Sequence, residues 1–238
     1  MRRYDIAETR DCNAARGWHF STMILRSVSL VLALSLLGAV HLPGEEADAK
    51  AQELAKSVWQ ASGGENWSKV KEIRFTFVVE ENGKELARAE HDWKVADMTD
   101  HVKWKDKDVT VNLAAPATDE AAKAAYARWT NDSYWLLAPL KILDPGTKLA
   151  AEGQIESDGA MCDVLRLSFA QVGLTPGDQY VLYIDPQTKL VRAWDYIPKA
   201  DTVMHGTWEK YEKFGGLNLA TDHNFAGKVI RFENVQVL

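Results

Sequence analysis

The stretch Ile73-Arg74-Phe75-Thr76-Phe77-Val78-Val79 places large apolar residues at every second position, and it decides the fold class of this chain. A period of two is typical of a β-strand with one buried face. Glu81-Asn82-Gly83-Lys84 follows, and an Asn-Gly pair between two alternating segments is the strongest short signal for a hairpin turn. Residues 86–95 alternate again, with His91 and Trp93 on one face. The sequence therefore predicts a β-hairpin here.

Strand-like segments continue along the rest of the chain. Together with the first hairpin, they amount to about nine or ten short strands joined by turns, which predicts one antiparallel sheet. A sheet of that size must curl, so we predict a mainly β (α+β) fold, a curled antiparallel half-barrel. The further segments are residues 101–105, 108–112, 161–169, 180–184, 190–196, 207–211, 217–221 and 229–237.

Two segments with helical patterns are available to cover one face of this sheet. Residues 47–62 carry an apolar stripe at helical spacing, and Gly63-Gly64 ends it. Residues 118–140 form a mid-chain helical insert, which Asn131-Asp132 is predicted to interrupt. We expect residues 133–140 to form a separate short helical turn. The N-terminal helix and the insert are predicted to cover the half-barrel.

The N-terminal region contains a secretory signal pattern. Residues 28–40 form an apolar stretch behind Arg26, shorter than the ~20 residues that a membrane span needs. Translation from Met23 would give a short basic segment before it; a long n-region or an uncleaved signal anchor are the alternatives. We predict a leader over residues 1–49 and a single domain over residues 50–238. We expect a periplasmic or secreted protein with no stable membrane span in the mature chain.

Charge and cysteine content narrow the possible partners. The chain has 28 Lys and Arg against 34 Asp and Glu, a net charge of -6. No basic cluster is present to neutralise phosphates, which argues against nucleic acid as a partner. Cys12 lies in the leader, so Cys162 is left as a single thiol in the domain and no internal disulfide is expected. Cys162 lies in an apolar strand pattern, and we predict a small buried hydrophobe.

Histidines with neighbouring aspartates are the candidates for catalytic or metal chemistry. In a curled sheet they could converge on a metal or support acid–base chemistry, or they could occupy separate polar positions on the strands. Their spacing matches no ligand motif, and the chain has no nucleophile motif and no phosphate-binding glycine loop. We therefore assign no catalytic residue, no metal ligand and no cofactor. The candidates are His91-Asp92, Asp100-His101, His205 and Asp222-His223.

The order of elements resembles the outer-membrane lipoprotein carrier superfamily, the LolA/LolB-like fold. The most specific motif is the hairpin Ile184-Asp185-Pro186-Gln187-Thr188-Lys189-Leu190-Val191, and the resemblance covers roughly residues 49–238. In residues 131–180 the chain looks closest to uncharacterised bacterial secreted members. The resemblance implies an open half-barrel whose helices form a lid over an apolar cavity that holds acyl chains.

Aromatic residues spread over the strands and the insert are the candidate ligand-binding residues. Ligand pockets are mostly apolar and aromatic, although packing of the core or lid is the favoured explanation of the same residues. Trp135 lies in an apolar segment that is unfavourable when exposed to water. We therefore predict that Trp135 packs on the concave face of the sheet and helps to close the cavity. The predicted cavity and lid residues are Phe75, Phe77, Trp93, Trp104, Trp135, Leu136, Tyr183, Trp194 and Trp208.

Three functions are compatible with these features. The first is a monomeric periplasmic binding or carrier protein that holds a hydrophobic small molecule, a lipid or a lipoprotein. The second is a secreted hydrolase that depends on a metal or on the histidine and aspartate residues. The third is a non-catalytic envelope module that binds a protein across an exposed sheet edge. We favour the first, and expect a binding protein rather than an enzyme.

Overall fold

The structure is a computed structural model that describes residues 43–115, 119–169, 177–199 and 202–238. The predicted signal segment, the start at Met23 and Cys12 lie outside the described residues, as does Thr118 at the start of the insert. The helices are α1 (Pro43–Ala61), a 3₁₀ helix (Gly64–Lys69) and α2 (Glu120–Lys141). The strands are β1 (Glu72–Glu81), β2 (Lys84–Lys94), β3 (Thr99–Trp104), β4 (Lys107–Asn112), β5 (Thr147–Ser157), β6 (Ala160–Phe169), β7 (Gln179–Ile184), β8 (Val191–Ile197), β9 (Met204–Thr207), β10 (Glu209–Phe214), β11 (Leu217–Phe225) and β12 (Lys228–Val237).

The strands form one open antiparallel sheet of twelve strands in the order β4-β3-β2-β1-β12-β11-β9-β8-β7-β6-β5, with β10 paired to β11. Strands β4 and β5 are its two ends, so the sheet does not close on itself. The predicted fold class, a mainly β protein with an N-terminal helix and a mid-chain helix, is confirmed. The first hairpin has its predicted partners, because Phe75 lies opposite His91 and Ile73 opposite Trp93.

Strand β5 was not predicted from the sequence. Its residues are exposed along almost the whole length, because only one of its edges is paired and neither face enters the core deeply. A strand without a buried face has no reason to alternate apolar and polar residues. Its partner β6 does alternate: Leu165 and Leu167 are buried in the core.

The predicted break of the helical insert at Asn131-Asp132 is wrong. The structure has one continuous helix of 22 residues, α2, which starts at the N-cap Asp119 and includes Pro139 in its last turn. Asn and Asp interrupt helices when their side chains bond to local backbone. Here the Asp132 carboxylate instead accepts hydrogen bonds from the side chains of Arg128 and His91, so the helix continues through it.

The two helices cover different parts of one sheet face. Helix α1 contacts β5 and β6, whereas α2 contacts β3, β4 and β11. The small residues Ala51 and Ala55 of the predicted stripe are buried, which lets the backbone of α1 approach the sheet closely. Among the described residues, no helix is long and apolar enough to cross a membrane.

Cys162 is completely buried and unpaired in β6. The side chain makes one weak contact, from its Sγ to the carbonyl oxygen of Ala160 at 3.6 Å. Burial raises the pKa of this thiol, which keeps it protonated and unreactive at neutral pH. The prediction of a small buried hydrophobe is confirmed.

The end of α1 is fixed to the turn between β10 and β11. Gly63 ends the helix with a φ of 83°, and a Cβ at this position would lie 2.3 Å from the carbonyl oxygen of Gly216. The amide of Asn218 donates to the carbonyl of Ser62 at 3.0 Å, and Asn66 Nδ2 donates to the carbonyl of Gly216 at 3.1 Å. Glycine at position 63 thus allows both the left-handed turn and the close backbone approach.

We expect Gly63→Ala to destabilise the protein far more than Gly83→Ala. Both glycines have positive φ, but a Cβ at Gly83 meets nothing within 4 Å, so that variant carries only the backbone strain of about 1–2 kcal/mol. Gly63→Ala adds a clash with backbone, which raises the total loss in the free energy of unfolding to roughly 3 kcal/mol or more. Urea unfolding of the two variants measures the difference, and equal losses would contradict the docking of α1.

Candidate functional site

A cavity of about 460 Å³ lies between the second half of α2, the connection to β5 and the ends of β6, β7, β8 and β11. Nine of its lining residues are aromatic, and the rest are mainly small or polar. The lining residues are Tyr126, Trp129, Thr130, Asn131, Ser133, Tyr134, Trp135, Lys141, Asp144, Pro145, Thr147, Phe169, Tyr180, Trp194, Tyr196 and Phe225.

Strand register brings the aromatic rings of the sheet side together. Tyr180 of β7 lies opposite Tyr196 of β8, and Trp194 two residues earlier lies opposite Leu182 on the same face. Trp194 is only 2% exposed, and the centre of its ring is 4.8 Å from that of Tyr180. From the helix side, Trp135 reaches the Trp194 ring at 4.6 Å and the Phe225 ring at 4.9 Å. The packing of Trp135 on the sheet is therefore as expected.

Two tyrosines of this wall are in contact with each other. The rings of Tyr134 on α2 and Tyr180 on β7 are 5.4 Å apart. Burial raises the pKa of the Tyr134 hydroxyl far above its usual range, and raises that of Tyr180 as well. Both side chains are thus neutral hydroxyl donors at any physiological pH.

The charged groups at the cavity are few and already paired. Lys141 Nζ donates to the Asp144 carboxylate at 2.6 Å, and both residues are part of the lining. The hydroxyl of Tyr196 donates to the Asp178 carboxylate, which also accepts from the backbone amide of Lys199 at 3.0 Å. The wall therefore combines aromatic surface with neutral or compensated polar groups.

A buried charge network pins the middle of α2 to the sheet beside this cavity. His91 of β2 is 3% exposed; its Nδ1 is 2.7 Å from Oδ2 of Asp100 on β3, and its Nε2 is 3.2 Å from Oδ2 of Asp132 on α2. Asp132 also accepts from Arg128 at 3.4 Å and from Asn131 at 2.8 Å. Asn131 and Ser133, on either side of Asp132, line the cavity.

Both ring nitrogens of His91 can donate only when the imidazole is protonated. Burial by itself would lower the pKa of His91, but the hydrogen bonds and charges of Asp100 and Asp132 outweigh it and raise that pKa. The imidazolium is also stacked on the Phe75 ring at 4.6 Å, a favourable position for a cation. With Arg128, the network holds two positive and two negative charges.

The other histidines that the structure describes do not join this network. His101 is paired with Asp108 at 2.5 Å, and His205 lies between Asp195 at 2.7 Å and Asp158 at 3.0 Å. The candidate pair His91-Asp92 is divided between the faces of the sheet, because neighbours along a strand alternate. Among the described residues, no group of three or more histidine, cysteine or acidic side chains is arranged to hold a metal ion.

His223 is a buried, neutral histidine. Burial lowers its pKa to about 4, and its Nδ1 donates to the carbonyl oxygen of Thr207 at 2.9 Å. Its Nε2 has no hydrogen-bond partner among the described residues. The ring instead packs edge-on against Trp208 at 4.6 Å and lies 5.3 Å from Trp135. It belongs to the aromatic layer beneath the cavity.

The structure divides the nine residues predicted for the cavity into four groups. Trp135 and Trp194 line the cavity. Trp93 and Trp208 stand one layer behind it, because they contact the lining residues Trp129 and Trp194. Three others, Phe75, Phe77 and Leu136, are buried in the core. Trp104 is half-buried at the end of β3, and Tyr183 lies on the opposite face of the sheet, where its hydroxyl donates to Asp195 at 2.7 Å.

Several lining residues were missed by sequence reasoning, chiefly Trp129, Tyr134, Tyr180 and Tyr196. The signal for Tyr196 was available, because it lies two residues after the predicted Trp194, on the same face of their predicted strand. Trp129 and Tyr134 lie on one helix in the structure. The predicted break at Asn131-Asp132 placed them on separate segments, so their common position was not recognised.

Comparison with solved structures identifies the fold. The chain is similar to a LolA superfamily protein from Nitrosomonas europaea, with 9% identity, a TM-score of 0.50, and coverage of 79% of this chain and 93% of that chain. It is also similar to a DUF1329 family protein from Desulfovibrio piger, with 15% identity, a TM-score of 0.49, and coverage of 80% and 93%. Lipoprotein LppX of Mycobacterium tuberculosis matches with 9% identity, a TM-score of 0.27, and coverage of 78% and 96%.

No protein-family model and no curated protein matches the sequence. At these identities the likeness concerns the fold alone, and it rests on the first of the three structures. The predicted LolA/LolB-like fold is confirmed: this chain has the open antiparallel sheet and covering helices of a LolA superfamily structure.

We expect His91→Gln to remove a pH-dependent part of the stability. Folding raises the pKa of His91, so the protonated side chain stabilises the folded state. This stabilisation is complete below pH 6.5 and is lost as the pH rises through the folded-state pKa. The difference in the free energy of unfolding between wild type and variant should therefore be larger at pH 6 than at pH 9, by about 1 kcal/mol or more.

Urea unfolding at both pH values measures this difference, and the other histidines cancel because both proteins contain them. His101→Gln is the matched control, since its half-exposed side chain pairs only with an exposed aspartate; its effect should stay within about 0.5 kcal/mol. A His91→Gln difference that is the same at both pH values would contradict a charged His91.

Proposed function

We propose that this protein is an exported envelope protein that binds a hydrophobic ligand, of lipid or acyl type, in the cavity under α2. The observation that carries the proposal is the aromatic cavity of about 460 Å³ between α2 and strands β6, β7, β8 and β11. A volume of this order lies within the range of small-molecule sites, which are concave and mostly apolar with few polar groups.

The position of the cavity in the fold supports this proposal. It lies between the sheet and its helical cover, where an apolar molecule is screened from water on both sides. The LolA superfamily structure has the same fold, although a fold hosts many functions and the residues of the site must carry the argument. Here the wall offers nine aromatic side chains, which bury large apolar areas.

Export from the cytoplasm rests on the sequence. The apolar residues 28–40 behind Arg26 have the pattern of a secretory signal, and a carrier of apolar molecules is useful where they must cross an aqueous space. We propose the periplasm or the exterior of the cell as the location, and a monomer as the working form.

The histidines do not favour the alternative of a hydrolase. Both ring nitrogens of His91 face carboxylates, and His223, whose Nε2 is unpaired among the described residues, is completely buried and does not line the cavity. A general base needs a ring nitrogen that can reach the substrate proton. The binding function therefore remains the best supported by the site.

Incubation of the purified mature protein with a lipid extract of the cell envelope tests the proposal. We expect a lipid to co-purify in stoichiometric amounts, detected by mass spectrometry. The blocking variant is Thr130→Trp, which places a large ring in the cavity from a half-buried lining position of α2 and should abolish co-purification. Wild-type protein without bound lipid, or equal lipid on the variant, would overturn the proposal.

We expect Trp135→Ala to weaken ligand binding as well as stability. The side chain forms part of the cavity wall and contacts Trp194 and Phe225, so its loss removes apolar contact with a ligand and lowers affinity roughly tenfold. Titration with a brominated acyl probe, which quenches the fluorescence of Trp129 and Trp194, measures the affinity.

Trp208→Ala is the matched control for this prediction. Trp208 is similarly buried and contacts Trp194 from behind, but it does not line the cavity. Both variants should lose about 3 kcal/mol of stability, whereas only Trp135→Ala should bind the probe more weakly. If both variants bind the probe with equal affinity, Trp135 only packs in the core and does not contact the ligand.

A further inference from the structure

The cavity wall contains hydrogen-bond donors that have no partner. The hydroxyls of Tyr134 and Tyr180 bond to no residue that the structure describes, although both rings are largely buried. The hydroxyls of three other tyrosines are all satisfied: Tyr183 by Asp195, Tyr196 by Asp178 and Tyr211 by the carbonyl of Val191. The unpaired hydroxyls are thus confined to the cavity.

In the part of the chain that the structure describes, buried indole groups without a partner occur in the wall and also one layer behind it, at Trp93 and Trp208. The Nε1 atoms of Trp129 and Trp194 are buried and have no hydrogen-bond partner among the described residues. Buried donors without partners are unfavourable and are few in native proteins, so each one calls for an explanation. The two tyrosine hydroxyls belong to residues that line the cavity, so a ligand that displaces water from it must supply an acceptor atom or leave them unsatisfied.

The charges around the tyrosine pair decide which kind of acceptor fits. Two carboxylates stand beside the tyrosine pair: Asp144 is part of the cavity lining, and Asp178 accepts from the hydroxyl of the lining residue Tyr196. Lys141 is the one cation among the lining residues, and it is paired with Asp144 at 2.6 Å. The lining therefore offers no unpaired cation to an anionic head group, whereas a neutral carbonyl oxygen needs only the hydroxyl donors.

We propose that the cavity selects neutral apolar molecules that carry a carbonyl oxygen, of the ester, ketone or amide class, and that Tyr134 and Tyr180 donate to that oxygen. This inference rests on the proposed function, because it assumes that the cavity holds an apolar ligand. It adds the chemical class of the ligand: a hydrocarbon lacks the acceptor, and a free fatty acid carries the wrong charge.

Three probes of matched chain length test the inference by displacement of a fluorescent apolar reporter. They are dodecane, methyl laurate and laurate at pH 8. We expect methyl laurate to bind roughly fivefold or more tightly than dodecane, although dodecane is the more hydrophobic, and more tightly than laurate. Equal binding of dodecane and methyl laurate, or a preference for laurate, would overturn the inference and leave the proposed function intact.

Substitution of the hydroxyls locates the effect. Tyr134→Phe and Tyr180→Phe keep the ring and should each weaken methyl laurate binding by roughly fivefold while leaving dodecane binding unchanged. Tyr183→Phe is the matched control on the opposite sheet face and should change neither. An ester preference that persists in the double variant would overturn the inference, whereas failure of all three probes to bind wild type would count against the proposed function itself.

Discussion

The structure depends on one constraint: an open sheet of twelve antiparallel strands must have its apolar face covered. The two ends, β4 and β5, do not pair with each other, so closure into a barrel does not remove that face from water. Helix α1 covers β5 and β6, and α2 covers β3, β4 and β11. The space left under α2 is the cavity, so the candidate site follows directly from how the cover is arranged.

The position of α2 is set by charge as well as by apolar contact. Asp132, in the middle of the helix, meets His91 of β2, which in turn meets Asp100 of β3. A shift of α2 along the sheet would separate Asp132 from His91 and leave buried charges without a partner, which is strongly unfavourable in free energy. The network thus fixes which residues of α2 face the cavity. The same contact allows a helix to continue through Asn131-Asp132.

The chemistry of the cavity wall differs from that of an ordinary core. Away from the cavity, tyrosine hydroxyls are satisfied within the protein, as that of Tyr211 is by the carbonyl of Val191 and that of Tyr183 by Asp195. Around the cavity, by contrast, neutral donors of tyrosine and tryptophan remain unpaired beside apolar ring surface. This combination suits binding and orientation of an apolar molecule. Of the described histidines, His91 tethers α2 and His223 packs in the aromatic layer, and neither lines the cavity.

The sequence by itself determined the antiparallel sheet, because period-two alternation and the Asn82-Gly83 turn act between neighbours along the chain. It also determined the stripe of α1, its end at Gly63 and the burial of Cys162. The tertiary structure decided what depends on distant partners: the continuity of α2 through Asp132, the exposed edge strand β5, and the meeting of His91 with Asp100 and Asp132. It also decided the cavity, since Trp194 and Tyr180 become its wall only when α2 brings Tyr134 and Trp135 over them. Local patterns encode which face of an element is apolar, but they do not encode which element covers it.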